Sequence, residues 1–559
     1  MYPPQTSFIP VQVALARFLE SQGLKAIISD YPYWYLGTTP FRYLTGPVLP
    51  GIMSVIHRLL PGLDLFTVFY LILGMVWPLG GVGVYLLLRE LMIADKGLMK
   101  ADNISEDQRS KSASISDRYQ RVSAIVAAIF FTLGPIVPFL FRFSDGISLI
   151  SFSILPYALI FYTKLLKKNT PKNRLLFIIT ISLILLIDIS IFSTLFLGMA
   201  AVFLTVSGWK NAEKKIKRSF AYLLICLLVI SVWYGPGYWW RILLAPSFAG
   251  KSLVSVVSQL GQLLPVALAI TLAVLSGRFF KKKPKKSQLP ITNYYLLRFS
   301  FFWLFIFGFL TLMRFIADPD FWLDWMSYGM ELQLGLAMVL ALGLARINTN
   351  YKLMIANVLM VVLVFGSWTY LFNEYILKTM QKDITQSVEY KIGKALIFAD
   401  RVVTDVADRK LIDADQELMN ADSKHLQGGA KTKASLLGGE PRADDLSPGV
   451  EPGKTVFLSG STVFWLNAFF DIPQVRGGND GPSKDSDWRE AAWEIREGEE
   501  AVRSIEWLEK LKVDYLVVHT EVSQEFWHDF KHPEKFEGAD GLEKVYDQEG
   551  DRIYRVEDR

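Results

Sequence analysis

The residues of this chain that could do chemistry are acids and arginines standing where apolar sequence stops. The stretch Ala26–Pro50 carries one acid, Asp30, and one base, Arg42, among Tyr31, Tyr33, Trp34, Tyr35, Phe41 and Tyr43. Pro32, Pro40, Pro47 and Pro50 forbid a long helix there, and Gly37 and Gly46 supply turns. Exposed aromatics in such number suit a loop at a membrane surface, with Trp and Tyr at headgroup level. A second set is Arg314, Asp318, Asp320 and Asp324, with Glu331 and Gln333 at the head of the next apolar run. Arg142 and Asp145 flank one inter-run connection, and Arg241 and Lys251 lie in another after Trp239 and Trp240. Charges at a membrane edge are costly and carry a functional presumption. Arg donates two parallel hydrogen bonds to a phosphate, and an acid beside it can act as a base or hold a divalent cation such as Mg2+ or Mn2+. The competing reading is plain: Arg and Lys near helix ends snorkel, and an Asp before Tyr-Pro is a common turn former.

The elements that position these residues are apolar helices. Half of the 559 residues are hydrophobic, more than a soluble domain usually sustains. Residues 1–63 hold no spanning segment; Val11–Gln22 and Gly51–Leu60 read as short interfacial helices of an outer-face loop region. Spans are expected at 66–88, 122–141, 148–166, 174–209, 219–237, 257–277, 294–316, 329–346 and 352–372. The 174–209 run is too long for one crossing and breaks near Asp188, giving a helical hairpin and about ten spans over 64–372.

Charge orients this bundle. Connections Arg89–Arg121, Lys164–Arg174, Lys210–Arg218 and Arg278–Lys286 are rich in Lys and Arg and share one side, the cytoplasmic one. The alternate connections 142–147, 189–191, 238–256 and 317–328 face out, with residues 1–63 and 373–559. An outward N-terminal segment needs a preceding helix to carry it across, so a first helix is expected to be missing from the chain as read. Residues 373–410 read as a helical connector, and 411–455, rich in Gly, Ala, Asp, Lys and Pro, as a disordered insertion. Residues 456–559 read as a small extracytoplasmic α/β domain. Its strands are expected at Val456–Leu458 and Tyr515–Val518, its helices at Ser486–Ile495 and Glu499–Leu511. A hairpin is expected around Asp547–Gly550.

Several motifs carry less. Cys226 is the only cysteine and lies in an apolar run, so no disulfide or thiolate metal site is expected. His528 and His532 have i, i+4 spacing but no third ligand, and no metal site is assigned. The Gly-rich run Gln474–Gly481 has no phosphate-loop or dinucleotide fingerprint and reads as a turn. No Ser-His-Asp arrangement and no nucleic-acid motif is readable.

The segment Asp30–Pro47, the run Asp318–Trp322 and the run Leu458–Asn467 resemble the prokaryotic membrane proteins named "6-pyruvoyl-tetrahydropterin synthase-related". The chain has no His triad for zinc, so pterin chemistry is not expected. That family in turn resembles the GT-C fold, polytopic glycosyltransferases that take sugars from polyprenyl-phosphate carriers on the outer face. The resemblance implies a mainly α, GT-C-like transmembrane bundle with a small C-terminal α/β domain. It implies transfer of a sugar from a lipid-linked donor to a polysaccharide, glycolipid or protein acceptor at the cell membrane. GT-C enzymes place an acid in the first outer loop; here the early position reads Pro4-Gln5-Thr6, leaving Asp30 as the catalytic candidate. Substrate contacts would come from Arg42, Arg142, Asp145, Arg241, Lys251, Arg314, Asp318, Asp324 and Glu331. The alternative is a non-catalytic protein of lipid or polysaccharide transport or assembly that shares the fold.

Overall fold

The computed structural model describes residues 1–43, 46–99, 121–143, 146–206, 212–235, 264–276, 294–317, 325–346, 351–399, 454–478 and 487–557. The chain divides into two compact units. The first comprises Met1–Tyr31, Thr39–Lys382 and Asn479–Pro482; the second comprises Pro32–Thr38, Asp383–Gly478 and Ser483–Arg559. The expected connector 373–410 is thus split between them, and 411–453 lies outside the described residues, as does most of the expected insertion.

The first unit is helical. Among the described residues four helices are long and apolar enough to cross a membrane: Leu65–Met92, Arg121–Arg142, Gly146–Lys167 and Tyr295–Met313. Phe192–Val206 and Tyr328–Leu342 are apolar but shorter. These four make a multi-pass membrane protein. The break at Asp188 is real: helix Pro171–Ile187 ends there on extended backbone, a 3-10 turn covers Ile189–Ile191, and helix Phe192–Val206 follows. Halves of 17 and 15 residues fall short of the roughly 20 that a bilayer core asks of an untilted helix.

Contacts fix the helix directions. Gly146 approaches Phe69, Gly80 approaches Ser153 and Gly83 approaches Tyr157, so Leu65–Met99 and Gly146–Lys167 run parallel. A Cβ on Gly80 would stand 2.8 Å from the Ser153 Cα, so only glycine allows the backbones this close. Gly81 meets Thr132 and Ala128 while Trp77 Nε1 donates to the Thr132 carbonyl, so the intervening helix runs the opposite way. Tyr222 reaches Asn169, Cys226 reaches Ile178, and Gly46 lies against both Leu186 and Tyr234. Pro171–Ile187 and Ala212–Ile230 are therefore parallel, as a helix between them that crosses back requires.

One break in this bundle is repaired by a side chain. The span Arg121–Arg142 is interrupted at Gly134-Pro135. Proline has no N–H, so the Phe131 carbonyl loses its helical donor. Trp77 takes the Thr132 carbonyl at 3.0 Å, which frees the Ile136 N–H. Gln333 answers both orphans: its Nε2 donates to the Phe131 carbonyl at 2.8 Å and its Oε1 accepts from Ile136 N–H at 3.0 Å. Gly134 makes room, since a Cβ there would overlap the Gln333 side chain.

Helix Ile9–Gln22 packs against protein over most of its length: Ile9 to Ala16, with Phe18 and Leu19, is buried. The expectation of exposed aromatics is corrected: Tyr31, Trp34, Tyr35 and Phe41 are all buried in protein. Helix Val48–Leu59 keeps Ile52, Val55 and Leu59 exposed.

The second unit is built on a four-stranded sheet, β1 (Val456–Phe457), β2 (Tyr515–His519), β3 (Leu542–Gln548) and β4 (Asp551–Val556), in the order β1-β2-β4-β3. β1 and β2 are parallel, and the other pairings are antiparallel. Glu549 and Gly550 take left-handed φ of 52° and 86°, the two-residue turn that matches the twist of a hairpin. Helices Thr462–Phe469, Trp488–Glu497 and Ala501–Lys510 connect β1 to β2. Val388, Ile392 and Leu396 pack on Val456, Leu458, Val463, Leu466, Val517 and Ile553, so the helix at 388–399 belongs to this core.

Main-chain pairing continues beyond β1. Val475 N–H donates to the Val456 carbonyl, and Gln474 N–H donates to the Tyr33 carbonyl, both at 3.0 Å. Leu36 N–H returns to the Gln474 carbonyl at 3.3 Å. The Gly-rich run thus lies between β1 and the early aromatic segment. Tyr35 and Leu36 hold φ of 52° and 56°, a left-handed conformation disfavoured by side chains, and Gly37 follows at 108°. The Tyr35 ring is fully buried, 4.9 Å from Trp488, and sits where a Cβ on Gly477 would come within 2.2 Å.

Gln333→Leu should destabilise the helical unit by on the order of 1–3 kcal/mol for each backbone group left unpaired. Gln333→Ala, which leaves the same two groups unpaired and adds a cavity, should lose at least as much. Thermal unfolding of the full chain in detergent reads both. Equal stability of wild type and Gln333→Leu would show that the break is satisfied some other way.

Candidate functional sites in the two units

Asp30 follows the 3-10 turn Gly23–Ile27 and is exposed. It accepts a hydrogen bond at 3.3 Å from the Oγ1 of Thr39, nine positions further along the chain. Arg42 lies in the single-turn helix Pro40–Tyr43, and Arg314 in the last turn of helix Tyr294–Ala317. Asp145, Arg241, Lys251, Asp318 and Asp324 lie outside the described residues.

Arg142 is better defined. It ends the candidate span Arg121–Arg142, and its guanidinium lies 5.6 Å from the Tyr375 ring centroid, within cation–π range. Thr6 Oγ1 donates to the Arg142 carbonyl at 2.8 Å. Tyr2 and Gln381 exchange backbone hydrogen bonds of 2.8 and 3.2 Å, and Phe139 stacks obliquely on Tyr375 at 4.8 Å. The N-terminal segment, the end of one span and the segment after the last helix therefore meet at one end of the helical unit. Basic contacts of another kind mark the far ends: Lys167 pairs with Glu90 at 2.9 Å, and Arg298 donates to the Leu204 carbonyl at 2.6 Å.

Glu331 does not open to a mouth. Its side chain is wholly buried and accepts a short hydrogen bond from Thr194 Oγ1, while Trp303 Nε1 donates 2.7 Å to its backbone carbonyl. With Asp318 and Asp324 outside the described residues, no three acids, histidines or cysteines are grouped to hold a metal among those described.

The densest polar site is in the second unit, and the sequence reading missed it. β1 leads into Ser459-Gly460-Ser461-Thr462, and this turn is held by acids from distant parts of the chain. Glu525 Oε1 accepts from Ser461 N–H at 2.7 Å and from Ser461 Oγ at 2.6 Å; its Oε2 accepts from Thr462 Oγ1 at 2.8 Å. Asp529 accepts from Ser459 Oγ and from Gly460 N–H. Gly460 has φ 76°, and a Cβ there would strike the Glu525 carboxylate. Thr462 Oγ1, His519 Nε2 at 3.3 Å and Asp551 Oδ1 at 2.8 Å from His519 Nδ1 are spaced like a nucleophile, base and orienting acid. All three are buried and the threonine hydroxyl is committed to Glu525, so no substrate meets them.

Proton count sets the state of the second acid. Ser461 Oγ lies 2.6 Å from Glu525 Oε1 and 3.2 Å from Glu389 Oε1, yet a hydroxyl has one proton to give. The second contact is a hydrogen bond only when Glu389 carries a proton. Burial, reinforced by the charge of Glu525, pushes the Glu389 carboxyl up to about 7. Burial works against the charged form of His519, but Asp551 with Glu525 and Glu389 raises it overall. Burial likewise works to raise Asp529, but Ser459, Arg476, Gly460 and Arg496 together hold it below the usual carboxylate range.

No family model and no curated protein matches the chain. Among solved structures, it is similar to the archaeal oligosaccharyltransferase AglB from Archaeoglobus fulgidus in complex with an inhibitory peptide and a dolichol-phosphate. That match has a TM-score of 0.49 and 15% identity and covers 99% of this chain and 70% of that one. The form of the Archaeoglobus fulgidus enzyme tethered to an acceptor peptide with the NVT sequon gives 0.48, 14%, 100% and 70%. The apo form gives 0.43, 14%, 92% and 66%. The chain thus spans about two thirds of the length of these structures. Likeness at this level carries no argument about activity, and membership of the "6-pyruvoyl-tetrahydropterin synthase-related" proteins is not shown.

Glu389 binds its proton more tightly when folded, so its contribution to stability is complete below its ordinary value of 4.5 and is lost as pH rises through about 7. His519, also raised, has the same sign; Asp529, lowered, adds a loss only in acid. The unfolding midpoint of the second unit should therefore fall as pH rises from about 4.5 to 7. Glu389→Gln should flatten that slope. A slope unchanged in the variant would remove Glu389 as its cause.

Proposed function

We propose that the chain is a GT-C-like integral membrane glycosyltransferase that moves a sugar from a polyprenyl-phosphate donor to an acceptor on the outer face of the cell membrane. The observation that carries this reading is the convergence of Thr6, Arg142, Tyr375 and Gln381 at one end of the apolar helical unit. A guanidinium is held there at the end of a membrane-length helix, the depth at which a lipid phosphate rides while its tail stays in the bilayer. The resemblance of Asp30–Pro47, Asp318–Trp322 and Leu458–Asn467 supports the class.

In this mechanism Asp30, exposed beside the loop, takes the proton from the acceptor hydroxyl or orients it. Arg142, with Arg42, Arg241, Lys251 or Arg314, stabilises the phosphate as the glycosidic bond breaks. Asp145, Asp318 and Asp324 place the acceptor or a divalent cation; Glu331, wholly buried, stays outside that role. The helices number about ten, with residues 1–63 and 373–559 outside the cell. The second unit, 456–559 with its attached segments, recognises the acceptor.

A second reading, a non-catalytic lipid or polysaccharide transport or assembly protein, draws on Glu331. Its buried carboxylate, with Thr194 and Gln333, puts polar groups inside the helical unit, as a conduction path would.

Transfer from a synthetic polyprenyl-phosphate sugar, with the full chain in detergent, separates the readings. Asp30→Asn keeps shape and hydrogen bonding but removes the proton acceptor, so transfer should slow by ~100–10,000-fold with donor binding little changed. An unaffected Asp30→Asn variant would leave Asp30 as the turn former that its bond to Thr39 describes. No turnover with any lipid-linked sugar would favour the second reading.

Sidedness has its own test, helped by the burial of the native Cys226. Cysteines in place of the exposed Lys25 or Val522 should react with a membrane-impermeant reagent in whole cells. One in place of the exposed Lys172 should react only after permeabilisation. The reverse pattern would rule out an outer-face mechanism.

A further inference from the structure

We propose that Arg476, Arg496 and Ser459 form a subsite in the second unit for an oxyanion, a phosphate or carboxylate group carried by a water-soluble ligand. This goes beyond sugar transfer and does not depend on it. The subsite lies past the carboxyl ends of the parallel strands β1 and β2, where α/β sheets with parallel strands bind ligands. Ser459 is the second residue after β1, and Asp529 follows β2 by ten residues.

Four donors converge there on one carboxylate oxygen. Asp529 Oδ2 alone receives Ser459 Oγ, Gly460 N–H at 3.1 Å, Arg476 Nη1 at 3.4 Å and Arg496 Nη1 at 3.3 Å. A carboxylate oxygen offers about two lone pairs, and the two shorter contacts use them. The arginine contacts are the long ones, and both guanidiniums share this one oxygen. Arg476 also donates from Nη1 to Ser459 Oγ at 2.9 Å, and Arg496 from Nε to the Ala492 carbonyl at 3.0 Å. Among the described residues the Nη2 groups of both arginines have no acceptor. Repulsion from Arg476 adds to burial in lowering the Arg496 guanidinium, while Asp529 and, less strongly, Glu497 oppose it.

Two half-buried cations facing one carboxylate is an arrangement that an incoming oxyanion completes. Side-chain exposures of 15% for Arg476 and 22% for Arg496 leave the pair within reach of solvent. An oxyanion with two oxygens would accept from the Nη2 groups of both arginines in charge-assisted hydrogen bonds. Asp529 then acts as an internal competitor that holds the two arginines in place when no ligand is bound.

The test uses the full chain in detergent, titrated with inorganic phosphate and separately with glucuronate, at constant ionic strength, by isothermal calorimetry. Saturable binding of either probe is expected. Stronger binding of phosphate would identify a phosphorylated ligand, and stronger binding of glucuronate a uronate-type carboxylate. Arg476→Gln and Arg496→Gln should each weaken the bound probe by ~10-fold or more, a charged hydrogen bond being worth about 1.5–3 kcal/mol. Asp529→Asn should tighten it, because it removes the competing negative charge, and a gain in affinity cannot come from misfolding. No saturable binding by the wild type, or weaker binding by Asp529→Asn in protein that unfolds cooperatively, would overturn the proposal.

Discussion

The second unit depends on backbone pairing between residues more than 400 positions apart. Tyr33 and Leu36 exchange hydrogen bonds with Gln474, and Val475 passes the ladder on to β1. The pairing requires two adjacent non-glycine residues, Tyr35 and Leu36, to stay left-handed, a conformation that costs of order 1–3 kcal/mol per residue. What offsets that cost is the burial of the Tyr35 ring on Gly477 and Trp488. A side chain at position 477 would remove the space the ring occupies. Because Arg476 sits inside this ladder, its guanidinium has a fixed origin from which to reach Ser459 and Asp529.

The helical unit obeys a different constraint: no backbone group can stay unpaired in an apolar interior. Gly134-Pro135 breaks a span and orphans the Phe131 carbonyl, Trp77 frees the Ile136 N–H, and Gln333 satisfies both from another helix. Glycines 80, 83 and 146 let two parallel helices touch along their length. Glu331 lies two residues from Gln333 and shares its burial. A polar pair at the head of a span can thus be structural, functional or one of each, and only the partners distinguish them.

What was legible in the sequence was whatever repeats locally. Asp188 interrupts an apolar run too long for one crossing, and the helix break there follows from length alone. Asp547–Gly550 between two alternating segments marks the turn of β3 and β4. The aromatic loop is ambiguous in sequence, because Tyr and Trp have an apolar body and a polar tip that suit a headgroup layer and a protein core equally. Burial decides between these, and burial comes from residues near 474 and 488 that no local pattern links to residue 35. The polar turn at Ser459–Thr462 stayed hidden for the same reason. Its acids, Glu389, Glu525 and Asp529, are scattered over 140 residues and follow no spacing rule. Of the acids and bases expected at the membrane edge, Arg142 packs on the Tyr375 ring and accepts from Thr6 at its carbonyl, whereas Asp30 is tied to Thr39.

The proposed function requires a lipid phosphate held at the end of the helical unit where Thr6, Arg142 and Tyr375 meet. The most direct measurement is an experimental structure of the full chain with polyprenyl phosphate bound. Phosphate density within hydrogen-bonding distance of the Arg142 guanidinium is the predicted result. Density at the opposite end, near Glu90 and Lys167, would contradict the account.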